Sequence, residues 1–443
     1  MKLVNNSSRY SANQGNLIFE GIKKNPLHHM EPELSKAIAY FNTVEMHDPQ
    51  FLDTQLSKID ILTWRDQLDE ALKLAELLIE FKGYDTDIIL KRILINIQSG
   101  ELDFALRDIK GLQSIDPYNS LYFRLKAMCL FQQGQISEGW KYATTSFNFE
   151  NLNVRYQNLQ RWNGESLDDK VIVLTMLDIR GGGDEIMFAS IIPEIIRRTR
   201  ICFVETEKRA LSLFEQSFKN AIVFCRGEEP WKNKNIKVDF HCWSRELAPY
   251  IFPSVTDFPK SNKYLELTDK NFSFWDQKLQ KINDGKFTIG LCWRSYHSVG
   301  PNMPMCTKLN DWEPVFKMPN VTFINLLGID DQNEVLETEK KFGIRIHSID
   351  GSNFSQNFDN IAGITKACDA VITVPSTTSI IAKGVGANVL HLQAEYTALC
   401  MDILPWFPNQ KLYTRKWSET WESAITHISK DIKKIVLKHD KKL

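Results

Sequence analysis

None of the eight cysteines falls in a Cys-x-x-Cys pair, and the nine histidines form no His-x-x-x-His pattern. Neither a zinc site nor a disulfide framework is therefore expected, and the thiols read as reduced and mostly buried. Excess charge of one sign is missing too: 54 Lys+Arg face 55 Asp+Glu, a formal net charge of -1. No global basic field exists to hold nucleic acid or a membrane surface. No run approaches the ~18 consecutive apolar residues of a membrane span, and Met1-Lys2-Leu3-Val4-Asn5-Asn6 is not followed by the apolar stretch of a secretory signal. A cytoplasmic protein is expected. What is present is ordinary for a folded chain, 43% hydrophobic and 25% charged, and 443 residues suffice for about three domain-sized units.

The first half carries a repeat. Ala37, Ala71, Ala105 and Gly139 are each 34 positions apart, and Pro49, Gly83, Pro117 and Asn151 form a second series with the same step. That period is the length of a tetratricopeptide hairpin. A small residue lets two helices approach, and Pro or Gly ends the second helix before the next unit. Leu90, Ile93, Leu94 and Ile97, then Leu102, Ala105, Leu106 and Ile109, supply apolar faces at helical spacing. Residues 1–29 read as an N-terminal arm, mobile through about residue 25, and residues 30–160 as tetratricopeptide-like helical repeats, an architecture that usually offers a surface to a partner.

From Lys170 the pattern changes to short apolar runs separated by helical stretches, the mark of parallel sheets covered on both faces. Runs at 171–177, 201–204 and 221–224 form one series. Those at 287–292, 321–326, 344–347, 370–374 and 389–392 form a second. The expected fold is α-helical repeats followed by α/β, with one Rossmann-like domain over 161–275 and another over 276–443 that ends in a helix. Ligands of such sheets bind beyond the carboxyl ends of strands, so three loops matter.

After the first run come Gly181-Gly182-Gly183-Asp184-Glu185, opening a helix. Glycines permit close backbone approach, and a helix start presents free N–H groups. The segment matches neither a Walker loop nor Gly-x-Gly-x-x-Gly. Asp184 is either a helix cap or a functional carboxylate. After Cys292 come Trp293-Arg294-Ser295, where Arg294 either clamps a phosphate or makes an ion pair. After Val374 come Pro375-Ser376-Thr377-Thr378 and a helix bearing Lys383, a helix start suited to a diphosphate or to capping alone.

Taken in order, the hairpins, Arg161-Trp162-Asn163-Gly164, Gly181 to Ala189, Ile289 to Ser295, Asp311-Trp312, Cys368 to Val374 and Pro405-Trp406-Phe407-Pro408 resemble the bacterial tetratricopeptide glycosyltransferases related to the heptosyltransferases. The resemblance spans roughly residues 30–435. It implies a GT-B arrangement of two Rossmann-like domains, the first on the acceptor side and the second holding a nucleotide sugar as substrate, with no separate cofactor and no metal. In the family's Gly-Asp motif the aspartate is the catalytic base, and Asp184 stands at that position. The implied reaction is inverting transfer to a protein or glycan acceptor recruited by the repeats, with Gly181, Gly182, Gly183, Arg294, Ser295, Ser376, Thr377, Thr378 and Lys383 binding substrate. One departure stands out: the relatives follow the strand at 370–374 with Asp-Thr-Ala/Gly and a nearby histidine, whereas this chain has Pro375-Ser376-Thr377-Thr378 and Ile380. The alternatives are a non-catalytic scaffold with a degenerate transferase domain, and a dinucleotide enzyme that uses the first loop with Glu205 as its ribose acid.

Overall fold

The computed structural model describes residues 6–24, 30–146, 156, 158–176, 182–261, 263–295, 300–327, 332–352, 354, 356–395, 406–417 and 419–440. Eight helices, Asn6–Lys24, Glu31–Phe41, Phe51–Trp64, Leu68–Lys82, Thr86–Ser99, Leu102–Ile115, Ser120–Gln132 and Ile136–Ser146, pack pairwise as four successive hairpins. The 34-residue series marks the second helix of each. Ala37, Ala71 and Ala105 are fully buried, and a Cβ on Gly139 would lie 2.6 Å from the Phe131 ring. Gly83, at φ 84°, ends Leu68–Lys82 in a conformation glycine adopts without strain. The Asp85 carboxylate then caps Thr86–Ser99 by accepting from the Asp87 and Ile88 N–H groups.

The expected N-terminal arm over 1–29 is corrected by the first helix, Asn6–Lys24, which is part of the packed array. Ala12, Phe19 and Ile22 are buried, Phe19 packs edge-on against Phe41, and Gly15 leaves room for the Phe41 ring. Ser8, Ser11 and Gly15 on the buried face dilute the apolar signal, and for that reason the helix was not legible as one.

Ala105 sits in a cluster with Ile89, Ile93, Ile109 and Leu112. Ala105→Trp should overpack that cluster and destabilise the hairpins by about 1–3 kcal/mol, while the transition of the α/β half is unchanged. Calorimetry of the full chain checks this, and an undiminished first transition would remove Ala105 from a helix crossing.

Four parallel strands, β1 (Val171–Thr175), β2 (Ile201–Thr206), β3 (Ile222–Cys225) and β4 (Phe240–Trp243), form the first sheet in the order β3-β2-β1-β4. Six more, β5 (Phe287–Cys292), β6 (Val321–Asn325), β7 (Ile346–His347), β8 (Ala370–Thr373), β9 (Val389–Ala394) and β10 (Lys411–Arg415), form a second parallel sheet in the order β10-β9-β8-β5-β6-β7. Counted within its own domain, this is the doubly wound order 3-2-1-4-5-6, whose switch point lies between the first and fourth strands. The first sheet has the same order truncated after its fourth strand. The chain is thus a helical array followed by two Rossmann-like domains in the GT-B arrangement. Their switch points fall between β1 and β4, and between β5 and β8.

Specific contacts join the units. Trp140 Nε1 donates to the Phe252 carbonyl at 2.9 Å, tying the fourth hairpin to the first α/β domain. Asp66 of the second hairpin pairs with Arg415 on β10. Between the α/β domains, Gln216 donates to Asp359 at 2.6 Å and the Tyr264 N–H to the Gly384 carbonyl at 2.9 Å. Trp406, from the Pro-Trp-Phe-Pro segment, is buried among Phe188, Phe252 and Phe258. No helix among the described residues is long and apolar enough to cross a membrane.

Candidate active site at the facing switch points

Beyond β1 the chain enters the helix Gly182–Phe188, and beyond β4 the helix Ser244–Ile251. Asp184, in the first turn of the former, pairs with Arg245, in the first turn of the latter, their side chains 12% and 14% exposed. The Arg245 guanidinium also lies 4.9 Å over the Phe188 ring. Asp184 is therefore held by a cation and does not serve as a simple cap. Arg245 was not singled out in the sequence because β4 is only four residues long and follows a polar stretch.

The second switch point faces the first. Ser376 caps the helix Thr377–Gly384, its Oγ accepting from the Ser379 N–H at 3.1 Å, and the Cys292 thiol at the end of β5 lies 3.6 Å from the same oxygen. The helices Gly182–Phe188 and Thr377–Gly384 pack on one another. A Cβ on Gly183 would stand 3.2 Å from Thr377 Oγ1, and one on Gly182 would stand 2.5 Å from both the Phe358 ring and Glu207 Oε1. Gly182 and Gly183 thus admit the opposing domain, a close-approach role different from the ligand contact expected of them. Gly181 lies outside the described residues. The structure brings Asp184, Gly182, Gly183, Ser376, Thr377 and Thr378 to one place, with Ser295 on the neighbouring loop.

Two expected phosphate ligands sit otherwise. Arg294 is 8% exposed and pairs with Glu334 at 2.7 Å. Glu334 also accepts from Trp293 Nε1 and the Leu309 N–H, so the guanidinium is anchored to the helix Gln332–Phe342. Lys383 is buried with its ammonium 4.8 Å over the Phe407 ring. Seven residues past Ser376, it lies about 10 Å along the helix from the turn it was expected to assist.

Behind Asp184 is a buried polar network of which the sequence reading named only Glu185 and Glu205. Glu185 accepts from Thr206 Oγ1, from the Glu207 N–H at 2.9 Å and from Arg226 at 3.0 Å. Glu205 accepts from Thr175 Oγ1 at 3.2 Å and lies 3.4 Å from Arg226, while Thr175 also meets His241 at 2.9 Å. Fully buried and so engaged, Glu205 is not placed to bind a ribose, which removes the dinucleotide alternative. Among the described residues no group of three or more His, Cys, Asp or Glu is placed to hold a metal ion. None of the seven described cysteines forms a disulfide.

Burial pushes the Glu185 carboxyl up to about 7, against the hydrogen bonds and the Arg226 charge that favour ionisation. A carboxyl raised on folding contributes stability that is full below the unfolded value near 4.5 and is lost as pH rises through about 7. Relative to Glu185→Gln, the native protein should therefore lose about 3 kcal/mol between pH 4.5 and pH 8. Urea unfolding of both proteins across that range measures it, and parallel profiles would show that Glu185 ionises freely.

Two parallel, doubly wound sheets thus face one another at their switch points, with a paired carboxylate on one side and a hydroxyl-rich helix start on the other. No family model matches the chain. Protein FlbA of Caulobacter vibrioides is 25% identical over 383 residues, covering 82% of this chain and 62% of FlbA, so the chain spans less than two thirds of that relative's length. Among solved structures, Escherichia coli ADP-heptose LPS heptosyltransferase II is similar over 61% of this chain and 99% of its own, at 13% identity and TM-score 0.44. The glycosyl transferase family 9 structure from Veillonella parvula is similar over 61% and 91%, at 13% identity and TM-score 0.41. Thermobaculum terrenum O-GlcNAc transferase is similar over 98% and 93%, at 10% identity and TM-score 0.35. The architecture described above rests on this chain's own strand order.

Proposed function

We propose that the chain is a glycosyltransferase that moves a sugar from a nucleotide-sugar donor to an acceptor hydroxyl with inversion. The observation that supports the reading is the packing of the helix that bears Asp184 against the helix that starts at Ser376–Thr378, where Gly183 approaches Thr377. Asp184 accepts the acceptor hydroxyl's proton as the oxygen attacks the anomeric carbon, and Arg245 positions its carboxylate. The departing nucleoside diphosphate is met by the Ser376, Thr377 and Thr378 hydroxyls and the free N–H groups of that helix start, without a metal. The repeats recruit the acceptor, a protein or a glycan.

A thermal-shift screen against nucleoside diphosphates and nucleotide sugars tests this. A bound donor at 100 times its dissociation constant stabilises by about 2.7 kcal/mol, and activity should survive chelation. No shift with any of them would favour the second reading, a non-catalytic scaffold with a degenerate transferase domain. Two observations support that alternative: the Arg294–Glu334 pair occupies a cation suited to phosphate, and the aspartate and histidine of the family pattern are replaced by Pro375 and Ile380.

A further inference from the structure

Glu185 is a fully buried carboxylate one residue past Asp184, in the first turn of the helix Gly182–Phe188. Burying such a group is costly unless donors surround it, and here they come from the ends of two strands. Oε1 accepts from Thr206 Oγ1 at the end of β2 and from the Glu207 N–H just after it, and Oε2 accepts from Arg226 just after β3. Arg226 widens the bracket. The Nη2 that reaches Glu185 also donates to the carbonyl of Met176, the residue after β1, at 3.3 Å. Its Nε lies 3.4 Å from Glu205 on β2, and its backbone N–H donates to the Thr206 carbonyl at 3.0 Å. One side chain therefore ties the carboxyl ends of β1 and β2 to the helix start.

Asp184 and Glu185 leave the same turn in different directions. In the strand order β3-β2-β1-β4, Asp184 answers Arg245 on the β4 side, whereas Glu185 is held on the β2 and β3 side. The turn is pinned from both sides of β1. A helix of seven residues has little cooperativity of its own, so these anchors decide where its first turn stands. The Asp184–Arg245 pair fixes only the distance between two helix starts, and Glu185 supplies the second point that stops the turn from pivoting about that pair.

We propose that Glu185, braced by Arg226, is a positioning residue for Asp184: it fixes the first turn of the helix to the ends of β2 and β3 and so sets where the Asp184 carboxylate stands. The consequence for catalysis rests on the transferase reading, and the anchor does not.

The anchor responds to pH. The charged groups around Glu185 are Arg226, Glu205 and Glu207, with His241 on β4 joined to Glu205 through Thr175 and with Asp184 and Arg245 beyond the turn. Burial outweighs Arg226 and holds the Glu185 carboxyl at about 7. The closed turn therefore favours the neutral acid, and an opened turn, where the carboxyl meets water, releases the proton. Linkage then lowers the protection of the turn about tenfold between pH 6 and pH 8.

Hydrogen exchange on the full chain, corrected for intrinsic rates, reads the amides of residues 186–188 in the native protein, Glu185→Ala and Glu185→Gln. Glu185→Ala should cut protection there about tenfold or more and leave the amides of Leu102–Ile115 unchanged. It should also lower kcat for sugar transfer about tenfold or more with little change in donor KM, as a misplaced catalytic group does. Glu185→Gln keeps an acceptor for Thr206 and the Glu207 N–H, so it should match the native protein in protection and turnover at pH 6 and show no fall in protection at pH 8. If Glu185→Ala fails to fold, the comparison of the native protein with Glu185→Gln decides. Unchanged protection in Glu185→Ala, or the same pH dependence in the native protein and Glu185→Gln, would overturn the anchor. Lost protection with native kcat would overturn the positioning of Asp184. No transfer by the native chain from any nucleotide sugar would refute the transferase reading, and the exchange data would still decide the anchor.

Discussion

Asp184→Asn is expected to fold, to bind nucleoside diphosphate as the native chain does, and to transfer sugar about 100- to 10,000-fold more slowly, the usual worth of positioned proton transfer. Asparagine preserves the size of the side chain and removes only its ability to take a proton and to balance a cation. The second loss matters here, because Arg245 is largely buried beside Asp184, and a buried charge stripped of its partner is destabilising. The control is Asp184→Asn combined with Arg245→Gln, which removes both charges together. If Asp184 serves only to neutralise Arg245, the double variant should regain stability and turnover. If Asp184 is the base, the double variant should regain stability while turnover stays low. Transfer rate and donor affinity measured on the same preparations separate the two, and near-native turnover in either variant would sink the base assignment.

The legible parts of the fold were those whose physics repeats along the chain. A 34-residue step in small residues requires only that each hairpin cross at the same place, and Ala37, Ala71, Ala105 and Gly139 lie at those crossings. Strands buried on both faces read as continuous apolar runs, so β1, β2, β5, β6, β8 and β9 were visible. β10 was not: as the edge strand next to β9 it is only partly covered, with Lys411 and Thr414 exposed and Tyr413 and Arg415 buried, so it forms no continuous apolar run. β4 was hidden because Phe240–Trp243 is short and takes its place by pairing with β1, a partner nearly 70 positions earlier.

The site was legible by position more than by partner. Strand order places loop residues at the switch points whatever their chemistry, and so Asp184 and the Ser376 turn could be named in advance. Which charge answers which depends on contacts between distant segments. Arg245 reaches Asp184 from 61 positions away, and Glu334 reaches Arg294, on the loop after β5, from the helix Gln332–Phe342. The glycines show the same limit. Three in a row announce a close approach, but the sequence does not say to what, and for Gly182 and Gly183 the answer is Phe358 and Thr377 of the other domain.

Trp406→Ala should be the most destabilising single truncation at the junction of the two α/β domains, at about 3–5 kcal/mol. Trp406 is 2% exposed, with ring centroids at 5.1 Å from Phe188, 5.5 Å from Phe252 and 5.0 Å from Phe258, all three close to edge-on. Edge-to-face packing of this kind adds to the area buried. Phe188 ends the helix that carries Asp184, so the cavity left by alanine should also loosen the candidate base and lower turnover before the protein unfolds. Trp406 Nε1 is buried with no acceptor among the described residues. Trp406→Phe deletes that N–H and keeps an aromatic edge, and should therefore lose markedly less than the alanine variant. Chemical denaturation of both variants decides the point. A phenylalanine variant as unstable as the alanine one would show that the N–H, and not the ring, holds the segment. An alanine variant within 1 kcal/mol of the native protein, against the usual cost of emptying an aromatic site, would show that the two domains are joined elsewhere.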